Sequence, residues 1–351
     1  MATPQRAGSA GVVATNRTEL SCGELRAELV AVFAPYAAAA SATPADLDRA
    51  ARWLVEAEVL GLGAFGLSML VKDLARIGAP AAGVHSAPAV SAPGTAILSL
   101  DGAGVPGPLA LAVAVSRAGS ATATHGIGLI GLRRVGALGV LGLAARDLAL
   151  EGRVALVAAQ APAIVAPWGS SQPAIGTNPI AIATPRRNSP PLVADFATAP
   201  LTLAELRART ARGERLPEGV AVDTAGDATL DPARVFAILP ESLVGSLGGL
   251  LVELLAGVAV GGRETGPGAA GRGAMVLAFD PARAGGGAAA DDAARLAADW
   301  VHAGGHLPAR FDALGNELTL DSTARVQVES LALTALRAAA DAARTSGEAL
   351  R

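Results

Sequence analysis

"APWGSSQPAIGTNPIAIATP", residues 166–185, changes character in its middle. Up to Gly176 it is rich in Pro, Gly and Ser, and from Pro179 it becomes an apolar run closed by Pro185. An apolar run this short, bounded by turn residues, reads as a buried strand. Four further segments have the same form: "TAILSLDGAG" at 95–104, ending in an Asp-Gly turn, "GIGLIGLRR" at 126–134, "RVALVAAQ" at 153–160 and "PLVADFAT" at 191–198. Strands apolar on both faces belong inside a mixed sheet covered by helices.

Helical patterns fill the intervals. "SCGELRAELVAVFAPYA" opens with Ser21 and carries Glu24 three residues on, the spacing of a capping box. "TPADLDRAARWLVEAEVLG" places Thr43 as a cap and Pro44 at the first helical position. Further helices are expected at 107–119, 138–152, 202–213 and from Leu243 to Ala259. The tail from Thr323 is amphipathic and is expected to pack back on the N-terminal helices. The expected organisation is a disordered stretch at 1–18, a discontinuous helical domain at 19–90 and 310–351, and a mixed-sheet domain at 91–309. Residues 78–95, rich in Pro, Ala and Gly, read as an irregular excursion.

Composition narrows the function classes. The 28 basic and 31 acidic residues are dispersed and only 3% of residues are aromatic, so neither a basic stripe nor stacking platforms for nucleic acid stand out. The apolar window from Val244 to Gly262 contains Glu253 and six glycines and reads as a helix of a large domain, not a membrane span. The N-terminus lacks an apolar core behind basic residues, so a cytoplasmic location is expected. Cys22 is the only cysteine, which excludes an internal disulfide and a cysteine metal cluster. The histidines are His85, His125, His302 and His306; two glycines between the last two argue against a zinc-binding helix, and no metal is expected.

In order, "APWGSSQPAIGTNPIAIATP", "PLVADFATA", "LPEGVAVDTAGDATLDP" and "GLLVELLAG" resemble the malate/L-lactate dehydrogenase family, with its ureidoglycolate and sulfolactate dehydrogenase and piperideine/pyrroline-2-carboxylate reductase relatives. The resemblance implies an α/β fold that is not of the Rossmann type, use of NAD(H) or NADP(H), and a homodimer. Consistent with this, the chain has no Gly-x-Gly-x-x-Gly between a strand and a helix with an acidic residue following.

The same resemblance makes residues 59–70, "VLGLGAFGLSML", unusual. Family members carry Gly-Val-Asp-Ser-His-Gly there, with an Arg four residues after the histidine. The His exchanges a proton with substrate, the Ser orients it and the Arg grips a carboxylate. Here these positions hold Ala64, Phe65 and Met69, among glycines at 61, 63 and 66. The histidine of a second family motif, Asn-His-Phe-Gly, aligns with Ala137, so the implied cofactor segment is Ala137, Leu138, Gly139, Val140 and Leu141. Asp195, Phe196 and Ala197 match a cofactor-contacting stretch. A Gly-His-Lys-Gly segment aligns with Leu243, Val244 and Gly245, which removes a lysine; Lys72 is the chain's only one. Thr177 matches a substrate-contacting threonine, and Glu205 aligns with an Asp that completes a charge relay in the imine-reducing relatives. His125 reads as a helix C-terminal residue favoured by the dipole.

These replacements set three expectations. The leading one is a repurposed scaffold of bacterial specialised metabolism, with nicotinamide binding absent or weak. Its pocket of Ala64, Phe65, Met69, Thr177 and Leu203 would perform a non-redox step, such as a cyclisation, on a small-molecule substrate that is a large apolar biosynthetic intermediate. The alternative is an NAD(P)H-dependent reductase with relocated groups, for which Glu205, Asp195 or His125 would serve, with Thr177 a further candidate. The second alternative is a non-catalytic binding partner.

Overall fold

In the computed structural model, which describes residues 16–78, 95–263 and 271–348, the chain alternates strands and helices. The order is β1 (Arg17–Ser21), α1 (Cys22–Phe33), α2 (Ala37–Ala40), α3 (Pro44–Val59), α4 (Leu67–Ile77), β2 (Ile97–Asp101), α5 (Gly107–His125), β3 (Ile127–Val135), α6 (Leu141–Leu150) and β4 (Val154–Ala159). It continues with β5 (Pro179–Thr184), β6 (Leu192–Ala197), α7 (Leu203–Arg212), β7 (Ala221–Val222), β8 (Ala237–Ile238), α8 (Leu243–Val252), β9 (Arg272–Phe279), α9 (Ala289–His302), β10 (Arg325–Glu329) and α10 (Ser330–Glu348).

Six strands form one sheet in the order β2-β3-β9-β4-β5-β6. β2 and β3 are parallel, and every other neighbouring pair is antiparallel. This is a mixed sheet flanked by helices, α/β and not doubly wound, as expected. The sequence reading assigns no element between Ala259 and Thr323, yet the central strand β9 and helix α9 lie there. β9 escapes notice because its flanks are glycine-rich for a packing reason: a side chain on Gly273 would collide with the Ala256 carbonyl and with Gly262. α9 is amphipathic, but its buried face is built from Ala293 and Ala297, side chains too small to mark a core-facing stripe.

The Gly-Thr-Asn-Pro turn at 176–179 is explained residue by residue. Gly176 lies so close to the Ala161 carbonyl that a Cβ would overlap it. Asn178 adopts φ +34°, a left-handed value that Asn tolerates better than most residues. Its buried amide accepts from the Ala161 N–H at 3.0 Å and donates to the Gly249 carbonyl at 3.1 Å and to Glu253 at 2.9 Å. Pro179 begins β5, a strand position where a missing N–H is tolerated.

Both expected caps form: Ser21 with Glu24, and Thr43 with Asp46 ahead of Pro44. The tail packs back on the N-terminal region, but its first part is a strand: β10 pairs antiparallel with β1, and α10 reaches α1 through Arg337 and Glu28 at 2.7 Å. Arg17 and Thr18, expected to be disordered, are part of β1. The remainder of that expected stretch, 1–15, and most of the 78–95 excursion with His85 lie outside the described residues. One buried cluster joins Leu25, Leu54 and Leu70 of the N-terminal helices, Ile130 and Val276 of the sheet, and Leu336 of α10. Among the described residues, no helix is long and apolar enough to cross a membrane.

Candidate active site

A cavity of about 270 Å³ opens where the segment after β3, the edge of β6 and the start of α4 meet. Ala64, Phe65 and Met69 line it, with the whole of Ala137, Leu138, Gly139, Val140 and Leu141, and with Thr177, Asp195, Phe196, Ala197 and Leu203. Residues far apart in the chain are therefore gathered on one wall system.

The glycines of the 59–70 stretch have a local cause. Gly61 adopts φ +71°, a left-handed conformation available to Gly without strain. Gly63 and Gly66 leave room for the Glu58 carboxylate; a side chain on either would strike its oxygens. Glu58 Oε1 accepts the Leu67 N–H at 2.8 Å, capping the free N-terminus of α4, which has no capping side chain at Gly66. Burial pushes the Glu58 carboxyl up, opposed by the Leu67 hydrogen bond. The tight turn sets Ala64 and Phe65 at the cavity wall, and the first turn of α4 adds Met69, whose Cε approaches Gly139.

Asp195 is the carboxyl group of the cavity. Its Oδ2 accepts the Gly142 N–H at 2.8 Å, at the N-terminus of α6, and Oδ1 makes no hydrogen bond among the described residues. Burial raises its pKa above the usual carboxylate range, against the lowering effects of the Gly142 hydrogen bond and the Arg310 charge. A carboxyl group whose pKa is raised at the wall of a cavity is better suited to hold and donate a proton.

Three arginines that sequence reading missed also line the cavity: Arg207 of α7, Arg272 of β9 and Arg310, beside Phe311. None of the three forms an ion pair among the described residues. Nothing in their spacing ties them together, since they come from three elements that only the folded chain brings into contact.

Four expected site residues lie elsewhere. Glu205 is not at the cavity: Leu203, Ala204 and Arg207 take the inward face of α7, while Glu205 pairs with Arg209 at 2.8 Å on another face. His125 ends α5, as its helix-terminal reading expects, but β3 runs from there away to the cavity, a span of roughly 26 Å. Leu243 and Val244 open α8 with their side chains exposed to solvent, outside the cavity. Thr198 holds the turn, donating to the carbonyls of Thr177 and Asn178.

Residues 25–311 match the malate/L-lactate dehydrogenase family. The chain is 34% identical over 244 residues to a (2R)-3-sulfolactate dehydrogenase (NADP(+)) from Chromohalobacter salexigens, covering 66% of this chain and 73% of that one. It is 40% identical over 117 residues to a delta(1)-pyrroline-2-carboxylate reductase from Agrobacterium fabrum, covering 32% and 34% of the two chains. The solved delta1-piperideine-2-carboxylate reductase from Pseudomonas syringae pvar. tomato superposes with a TM-score of 0.76 at 25% identity, covering 92% of this chain and 99% of that one. These relatives are dehydrogenases and reductases, which overturns the expectation of a non-redox step on a repurposed scaffold. The expectation of absent or weak nicotinamide binding finds no support in them either, one being named for NADP(+). The match over 25–311 and the shared fold make this chain a member of the malate/L-lactate dehydrogenase family.

Proposed function

We propose that the protein is an NAD(P)H-dependent oxidoreductase that reduces the C=O or C=N bond of a small 2-oxo acid or cyclic imino acid, with Asp195 as the proton donor. The observation that carries this reading is Asp195, a half-buried carboxyl whose pKa desolvation raises, at the wall of a cavity that also holds three arginines with no ion pair among the described residues. A nicotinamide fits the residues present: residues 137–141 and 195–197 offer an apolar wall for the ring, and Arg207, Arg272 and Arg310 offer cations for anionic groups. When bound in its reduced form it would supply the hydride for the reduction. Asp195 passes its proton to the oxygen or nitrogen and is re-protonated from solvent, so one hydride and one proton complete the reduction. The Gly142 N–H holds the carboxylate formed, and Leu62, Phe65 and Met69 exclude water. These apolar residues fit a substrate with an apolar body behind its acid group.

We further propose that the protein acts as a homodimer. Leu243, Val244, Leu247, Leu250, Leu251, Leu254 and Val258 form an exposed apolar stripe along α8 and the π-helical turn that follows it, larger than isolated surface hydrophobics warrant.

The test is NADPH or NADH oxidation by the purified protein with sulfopyruvate, delta(1)-pyrroline-2-carboxylate, delta(1)-piperideine-2-carboxylate, pyruvate and oxaloacetate, followed by nicotinamide absorbance. Turnover of at least one, lost in Asp195→Asn, is the expected result. No turnover of any of them, with either nucleotide, counts against the reading.

A further inference from the structure

Most arginines of this protein face carboxylates: Arg52 faces Asp147 and Glu56, Arg76 faces Asp73, and Arg186 faces Asp312. Arg272 does not. Its guanidinium lines the cavity, its Nε is shut off from solvent, and that nitrogen has no hydrogen-bond partner among the described residues. Asp73, the acid whose charge acts on Arg272, is already committed: Oδ1 takes both the Nε and Nη2 of Arg76, at 3.0 and 2.8 Å, and Oδ2 takes the Gly107 N–H at 2.8 Å. Arg207 reaches the same wall from α7 and likewise has no ion pair among the described residues. A buried, unsatisfied guanidinium is costly, and a second cation beside it adds repulsion. An anion between the two removes both penalties.

We infer that Arg272 and Arg207 form an oxyanion subsite of the cavity, which takes carboxylate or phosphate oxygens. The guanidinium fork of Arg272, fixed on the central strand β9, supplies the directional contact, and Arg207 supplies a second charge from the rim. Burial of Arg272 disfavours its charged form, as do the nearby charges of Arg76 and Arg207, while Asp73 favours it, so a bound anion has a large unmet field to answer. Met69 lines the same cavity as Arg272 and Arg207. The inference rests on the cavity being a ligand site, as proposed above, but not on turnover.

The carboxylate of a substrate and a phosphate of the dinucleotide share this chemistry, and binding experiments separate them. Oxalate and inorganic phosphate are titrated calorimetrically into wild-type protein, Arg272→Met and Arg207→Gln, at constant ionic strength with chloride as the control. NADPH and NADH are titrated in parallel by nicotinamide fluorescence. Saturable oxyanion binding by wild type, weakened at least tenfold in Arg272→Met and about threefold or more in Arg207→Gln, is expected. If oxalate binding falls while NADPH binding persists, the anion is the substrate's; if NADPH binding falls more than NADH binding, it is the phosphate that distinguishes the two nucleotides. Wild-type affinity for oxalate, phosphate and NADPH in an Arg272→Met protein with an unchanged melting temperature overturns the inference. So does saturable binding of neither anion by wild type. If Arg272→Met does not fold, Arg207→Gln decides, since Arg207 is solvent-accessible at the cavity rim and its loss leaves the core intact, and unchanged affinity overturns the paired clamp. The anion titrations need no turnover, so they fail or succeed independently of the oxidoreductase reading.

Discussion

Two sets of buried or half-buried charges meet helix α6, one through Arg146 and Asp147 and the other through the Gly142 N–H at its N-terminus, and they are built on opposite rules. In the first set, between α3 and α6, Arg52 meets Asp147 and donates to Glu56 at 2.8 Å, while Trp53 Nε1 donates to Asp147 at 3.1 Å and Arg49 pairs with it at 3.3 Å. Arg146, fully buried, gives its Nη2 to the carbonyls of Leu314, Gly315 and Glu317 at 2.9 to 3.1 Å. In the second set, Arg207, Arg272 and Arg310 line the cavity with no ion pair among the described residues, and desolvation raises the pKa of Asp195. The first set pairs its charges with one another, although Glu56 Oε2, Arg146 Nε and Nη1 and Asp147 Oδ1 have no hydrogen-bond partner among the described residues, and it joins α3, α6 and the segment that carries Arg310. The second leaves its charges facing a space. In a folded protein that contrast separates groups that hold the structure from groups that await a ligand.

The contrast can be broken most sharply at Asp195. Asp195→Asn keeps an acceptor for the Gly142 N–H but removes the proton, and kcat for the proposed reduction should fall about 10²–10⁴-fold with nicotinamide affinity within about twofold of wild type. The same substitution should not harm the fold. Because the folded pKa of Asp195 is raised, the wild-type carboxyl favours folding below its unfolded pKa and loses that contribution as pH rises through the folded value. The Asn variant should therefore gain on wild type in melting temperature between mildly acidic and alkaline pH. Wild-type reduction should fall as pH rises through the raised pKa, and a stability deficit of Asn that grows with pH would contradict this assignment.

Asp147→Ala should do the reverse. It strips Arg52, Arg49 and Trp53 of their shared partner in a buried setting, and unfolding in denaturant should show a loss of about 3–5 kcal/mol. A smaller intermediate effect is expected for Gly66→Ala, which displaces the Glu58 carboxylate and leaves the Leu67 N–H without its acceptor. That should cost about 1–3 kcal/mol and weaken substrate binding through Phe65. The smallest stability change belongs to Arg272→Met, at under about 1 kcal/mol or slightly stabilising, because a partnerless charge is removed. A loss comparable to that of Asp147→Ala would show that Arg272 is structural, and the distinction between the two regions would fall.

The sequence carries much of this fold but little of the site's logic. Thr43-Pro44 and Ser21 with Glu24 announce their helices because caps are local. The Gly-Thr-Asn-Pro turn is legible for the same reason, although the role of Asn178 as a buried hub linking residues 161, 249 and 253 is not. β9 was hidden by glycines that serve close backbone contact, a tertiary cause with no local signature. Within the cavity, Ala64, Phe65, Met69 and residues 137–141 were found through a family resemblance that marked them by what they lack. The arginines were invisible: a lone Arg in a strand, in a helix and in a loop reads as solvated surface until the fold turns all three to one space. Alignment offers Glu205 beside Asp195 and His125 for a proton-handling role, and the helical periodicity of α7 turns Glu205 away from the cavity.

The most direct measurement of the central claim is a titration of the purified protein with NADPH and with NADH, followed by nicotinamide fluorescence, in wild type and Asp195→Asn. The account predicts saturable binding of at least one nucleotide at micromolar concentration in both proteins, and oxidation of the bound nucleotide by a 2-oxo or cyclic imino acid in wild type alone. Absence of saturable binding up to millimolar concentrations of either nucleotide would contradict it.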